Sequence, residues 1–138
     1  KNDEKNGADF GRLYNWDAAM KACPAGWHLA SDADWQDLEK LLGMPESELN
    51  ITNKWRGTDQ GALLMSDTTI NFNVVLGGYR NPPSNYNIKD MQGFYWTSTE
   101  SGGQSYMRQF YNKSTQVFRR LRPHSWSFSV RCIKDEQK

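Results

Sequence analysis

Residues 21–43 read KACPAGWHLASDADWQDLEKLLG and residues 128–135 read FSVRCIKD; each stretch holds one of the chain's two cysteines. Cys23 and Cys132 therefore stand near opposite ends of a 138-residue chain, each beside large apolar side chains. A catalytic pair, a metal site and a single long-range staple are the candidate chemistries. Each implies a different kind of protein.

Working outward from Cys23, LYNWDAAMKAC (13–23) reads as a short amphipathic helix. Asn15 suits the N-cap, Asp17 suits the positive end, and Trp16, Ala19, Met20 and Cys23 fall on one face. Pro24 closes it, since a residue before proline is pushed out of the α region. GWHLA (26–30) is then extended. Ser31 and Asp34 form a capping-box-like start for a second helix, with Trp35, Leu38, Leu41 and Leu42 as its apolar stripe. Asp32, Asp34, Asp37 and Glu39 are expected on its solvated side. Gly43 and Pro45 stop it.

Over residues 46–93 the periodicity dissolves into Asn, Gly, Thr and Pro with isolated Trp55, Tyr79 and Tyr86. This predicts a long ordered loop region with one short strand at FNVVLGG (72–78). After residue 93 the period becomes two. GFYWTSTE (93–100), SYMRQFYN (105–112), TQVFRRLR (115–122) and WSFSVRCIKD (126–135) read as strands. In the last, Trp126, Phe128, Val130 and Cys132 share one face. The fold class is α+β: two short helices packed on antiparallel strands, in one domain over 1–138 with its core at 10–135.

The totals narrow the function. No apolar run approaches the roughly 18 residues of a spanning helix, and the polar start KNDEKNGAD (1–9) has no apolar signal region. Residues 1–100 carry nine Lys/Arg against fourteen Asp/Glu, whereas 101–134 carry seven basic residues and no acid. Such a segment either attracts an anionic partner or pairs with the acidic remainder of its own domain. A nucleic-acid partner is not expected, because a pI near 7.9 falls below the usual basic footprint.

Both cysteines are expected to face the core. A disulfide between them fits, and two unlinked buried thiols acting as small hydrophobes are the alternative. A bridge would imply an oxidising, extracytoplasmic compartment. Zinc is disfavoured, because Cys23, Cys132, His28 and His124 show no short ligand spacing. Ser98, His124 and Asp90 could be imagined as a triad, but no nucleophile-elbow motif accompanies them. Asp59, Asp67, Asp90, Asn81, Asn85 and Asn87 offer oxygens for calcium without any repeated loop motif. No cofactor, no metal and no catalytic residue are expected.

The pieces GRLYNWDAAMKACPAGWHLASDADWQDLEKLLG, VVLGGYR, GFYWTSTE and FSVRCIKD occur in an order that resembles the Fibrobacter succinogenes major paralogous domain. That family is a repeated domain of bacterial surface proteins and lipoproteins, common in Bacteroidetes. Ala30 departs from it, standing where a proline is expected. The order of elements also resembles the C-type lectin-like fold, in which a cysteine of the first helix bridges to the last strand. The resemblance implies a Cys23–Cys132 staple. The calcium–sugar motifs of true C-type lectins, Glu-Pro-Asn and Trp-Asn-Asp, are missing; RNPPSN (80–85) is the nearest piece.

Residues and resemblance together lead to the expectation of a non-catalytic binding module, monomeric, at the cell surface or secreted. An outer-membrane lipoprotein would carry its lipid anchor outside this chain, and the ligand is a glycan or a surface protein. Candidate ligand-binding residues are Trp55, Arg56, Tyr79, Arg80, Tyr106, Arg108, Arg119 and Trp126. Aromatic faces beside guanidinium donors suit sugars that carry carboxylates. Two alternatives use similar folds. One is a retroelement-diversified receptor with variable residues in 104–126; the other is an enzyme of the formylglycine-generating type, which needs a reactive cysteine pair.

Overall fold

The computed structural model describes residues 12–66, 72–81, 86–87 and 90–136. Residues 10 and 11 of the expected core lie outside them. In chain order the elements are α1 (Trp16–Ala19), β1 (Trp27–Leu29), α2 (Asp32–Leu41), α3 (Glu46–Leu49), β2 (Lys54–Arg56) and α4 (Gln60–Ser66). They continue with β3 (Tyr79–Arg80), β4 (Tyr86–Asn87), β5 (Gln92–Ser101), β6 (Gln104–Tyr111), β7 (Val117–Pro123) and β8 (Cys132–Lys134). The architecture is α+β with antiparallel sheets. Four strands pair in the order β2–β7–β6–β5, and β1–β8 and β3–β4 form separate pairs.

Both N-terminal helices begin as their caps dictate. Asn15 accepts from the Ala18 amide at 2.9 Å. Ser31 and Asp34 complete a reciprocal capping box, with both bonds at 3.0 Å. α1 is shorter than expected: after Ala19 the amides of Lys21 and Ala22 reach back only three residues, to Ala18 and Ala19. Cys23 therefore lies beyond the helix. In α2, Trp35 is buried, but Leu41 is 81% exposed and leaves the expected stripe.

The period-two pattern of β5 divides the core between the two faces of the sheet. Phe94 and Trp96 pack with Trp16, Ala19, Leu29, Met107 and Phe128 on one side. Tyr95 packs with Trp35, Leu64, Phe110 and Val117 on the other. Cys23 packs against the first of these layers, and its sulfur is bonded to that of Cys132 across 109 residues. Leu29 lies opposite Cys132 in the β1–β8 register, so the staple and this strand pair close the two ends of the chain together.

Two expected strands differ. FNVVLGG forms no strand over 72–77, because its backbone groups bond singly to separate partners. Val74 N meets the Leu64 carbonyl, Val75 N meets the Tyr95 hydroxyl and Gly78 N meets the Gln92 carbonyl. The run 126–131 likewise has no ladder of its own. Ser127 exchanges bonds with Arg80, Phe128 with Tyr14, and Ser129 with Phe94 and Trp96. It is a rail held from both sides, and that is why Ser127 and Ser129 are buried along with Phe128.

Among the described residues no helix is long and apolar enough to cross a membrane.

Candidate functional site

Alternation along β7 separates its basic residues. Arg119 pairs in register with Arg108 of β6, while Arg120 pairs with Met107 and Arg122 with Ser105. Side chains directly opposite in an antiparallel pair share a face. Arg108 and Arg119 therefore face the α2 side of the sheet, and Arg120 and Arg122 face the other.

On the α2 side the charges are consumed internally. Arg56 donates to Glu39 at 2.8 Å, Arg108 to Glu39 and Asp32 at 2.7 Å each, and Arg119 to Asp32 at 2.6 Å. Asp32 and Glu39 lie seven residues apart on one face of α2. They are buried rather than solvated, which corrects their assignment to the outer side of the helix. Burial alone would raise the Asp32 pKa, but the Arg119 and Arg108 guanidiniums hold it below the ordinary 3.8. Burial lowers the Arg56 pKa against the opposing pull of Glu39.

Three of the expected ligand residues thus serve the fold. Arg56 and Arg108 are fully buried and Arg119 is 4% exposed, so none presents its guanidinium to solvent. Tyr106 lies beneath the Arg119 guanidinium at 4.1 Å, on the same side. The pairing of basic residues with the acidic remainder of the domain accounts for Arg108 and Arg119.

The opposite face carries a cleft of about 190 Å³. Its aromatic lining is Tyr79, Phe94 and Trp126, and its polar lining is Gln92, Gln109, Arg120 and Arg122. Tyr79 and Trp126 stack at 5.3 Å, and Phe94 meets Tyr79 edge-on at 4.9 Å. The Arg122 guanidinium lies 5.1 Å from the Trp126 ring centre, and that of Arg120 lies 4.1 Å from the Phe118 ring centre. Gln109 Nε2 donates to Gln92 Oε1 at 2.5 Å, which leaves the Gln92 amide nitrogen and the Gln109 amide oxygen for another molecule.

Of the expected ligand residues, the cleft brings together Tyr79 and Trp126. Trp55 is on the same face at the far edge, opposite Phe118 and 6.5 Å from Tyr111. Arg80 exchanges backbone bonds with Ser127 beside the cleft. Gln92, Gln109, Arg120 and Arg122 were not among the expected ligand residues, although Arg120 belongs with Arg108 and Arg119 to the acid-free stretch weighed for a ligand patch. The signal available for two of them was the alternation Phe118, Arg120, Arg122.

The imagined triad does not assemble. His124 Nε2 meets Ser105 Oγ at 2.8 Å rather than Ser98, and Glu100 approaches the same nitrogen at 3.8 Å. Ser105 is fully buried. A wider groove of about 730 Å³ passes His28, Asp34 and Asp135. There both ring nitrogens are taken, by Asp135 at 2.7 Å and Asp34 at 2.9 Å. Among the described residues no group of three or more His, Cys, Asp or Glu is placed to hold a metal. Asp67, Asn85 and the Asn87 side chain, named above as calcium oxygens, lie outside the described residues, as does most of RNPPSN.

No curated protein and no solved structure matches the chain. The family model described as the Fibrobacter succinogenes major domain matches residues 1–134. With nearly its whole length matched, the chain belongs to the Fibrobacter succinogenes major domain family.

Proposed function

We propose that this domain is a non-catalytic, extracytoplasmic binding module of C-type lectin-like fold that takes a glycan in the cleft beside Tyr79 and Trp126. The cleft itself carries this reading. Aromatic rings offer flat apolar contact to the C–H face of a sugar, and the Gln92–Gln109 pair offers a donor and an acceptor to its hydroxyls. Its volume of about 190 Å³ suits one sugar unit, below the roughly 300–1,000 Å³ of clefts for larger ligands. The Cys23–Cys132 bond supports an oxidising compartment. The lectin-like reading rests on element order: two N-terminal helices, a loop-rich middle that also holds two short helices and short strands, and closing strands stapled to the start.

The enzyme reading loses support, since the chemistry of the formylglycine-generating type needs reactive cysteines and both are bonded here. One observation favours a diversified receptor as the second reading. Gln109, Arg120, Arg122 and Trp126, four of the seven lining residues, come from 104–126. Sister genes varying at these positions while keeping Arg108 and Arg119 would support it.

A glycan array on the purified domain, with and without calcium, tests the main reading. Calcium-independent binding that is lost in Tyr79→Ala is expected. Binding that survives both Tyr79→Ala and Trp126→Ala would place the ligand elsewhere, and an array without hits would remove the glycan.

A further inference from the structure

The two faces of one sheet treat arginine differently. On the α2 side the three arginines of the four-stranded sheet, Arg56, Arg108 and Arg119, each have a carboxylate within 2.8 Å, from Glu39 or Asp32. On the cleft side neither Arg120 nor Arg122 forms an ion pair with any described residue, and the cleft lining contains no acid. The Nε of Arg120 is buried without a hydrogen-bond partner. Arg122 donates to the Leu121 carbonyl, at a long 3.5 Å. Burial lowers the Arg122 pKa, so its guanidinium has lost water without gaining a carboxylate. A buried guanidinium normally has a partner, because desolvating an unpaired charge is costly. Arg120 and Arg122 are partly buried, and two guanidiniums without a carboxylate facing one cleft mark a place where the countercharge arrives from outside.

We infer that the ligand group taken at Arg120 and Arg122 is a carboxylate, carried on an acidic sugar of the uronic-acid or sialic-acid class. The inference rests on the glycan reading above and narrows it. A planar carboxylate matches the guanidinium fork, and the charged hydrogen bonds formed there are stronger than neutral ones. The sugar ring then lies against Tyr79 and Trp126, within reach of the Gln92 and Gln109 amides. The partly buried setting means that salt weakens but does not abolish the attraction.

An array of uronic-acid and sialic-acid oligosaccharides beside their methyl esters and sulfated neutral glycans tests this with intact domain. The esters keep ring and hydroxyls and lose only the charge. The acids are expected to bind about tenfold or more tighter than their esters, with uronic and sialic arms identifying the source. Arg122→Gln should bring that ratio towards one, and Arg120→Gln serves as the second variant. Both are compared with Lys113→Gln, which removes an exposed cation in the turn after β6 and should change nothing. Near-ultraviolet circular dichroism reports whether each variant is folded. Equal binding of acids and esters, lost in Tyr79→Ala, would overturn the carboxylate and leave the glycan module standing. A preference for acids that survives both arginine variants, or a preference for sulfated glycans, would also overturn it. Absence of binding to every glycan would remove module and carboxylate together.

Discussion

Arg119 and Arg120 are adjacent on β7 and project to opposite faces of the sheet. Arg119 closes on Asp32 through Nε at 3.0 Å and Nη2 at 2.6 Å. Arg120 lies over Phe118 and meets no carboxylate among the described residues. One residue locks helix to sheet, and its neighbour lines the cleft.

Glu39 holds Arg56 and Arg108 from a fully buried position. Glu39→Ala strands the Arg56 guanidinium without a carboxylate and leaves Arg108 with Asp32 alone, so a loss of about 3–5 kcal/mol is expected, as for other broken buried pairs. Urea denaturation measures it. A loss below about 1 kcal/mol would mean that water or rearrangement replaces the carboxylate.

Asp32 makes the fold acid-sensitive. Its pKa is lowered in the folded state, so the stability it contributes is present above its ordinary 3.8 and is lost as pH falls through the lower folded value. In acid titrations followed by circular dichroism, Asp32→Asn should be less stable at pH 7 and show a flatter decline below about pH 4. Parallel curves would contradict this.

His28 acts in the reverse sense. Hydrogen bonds to Asp135 and then Asp34 raise its pKa above 6.5. The stabilisation is therefore fully present below 6.5 and is lost as pH rises through the folded value. The site is partly exposed, so the effect is small. Raising the pH from about 6 to about 8 should cost the wild type no more than about 2–4 °C in Tm beyond the change in His28→Asn. A wild-type Tm that rises over this interval relative to the variant would reverse the sign.

The Cys23–Cys132 bond closes 109 residues of separation. Cys132→Ser, which also frees Cys23, should cost about 2–5 kcal/mol. Unreduced, denatured wild-type protein should show no reactive thiol, and two titratable thiols would contradict the bond.

Local chemistry was legible in advance where local physics decides it. The Asn15 cap, the Ser31–Asp34 box and the alternation through 93–122 needed only neighbouring residues. Strand alternation by itself also puts Arg119 and Arg120 on opposite faces. Which of those faces α2 would cover depends on the docking of distant elements, and so Arg56, Arg108 and Arg119 were read as ligand contacts. Asp32 and Glu39 look solvated on a helical wheel until three guanidiniums are brought against them. Residues 126–131 alternate like a strand, yet their partners come from Tyr14, Arg80 and β5, which no local period reveals. The cleft was half legible: Tyr79 stood out as an isolated aromatic and Trp126 as an aromatic at the end of the basic stretch, whereas Gln92 and Gln109 gave no signal until their strands were paired.

The most direct test is a ¹⁵N–¹H correlation titration of the wild-type domain with an acidic glycan that binds on the array. Shifts confined to Gln92, Gln109, Arg120, Arg122 and Trp126, with the indole N–H of Trp126 among the largest, are the predicted result. Shifts centred on the His28 groove, or on residues 46–66 with the cleft unmoved, would contradict the assignment of the cleft as the binding site.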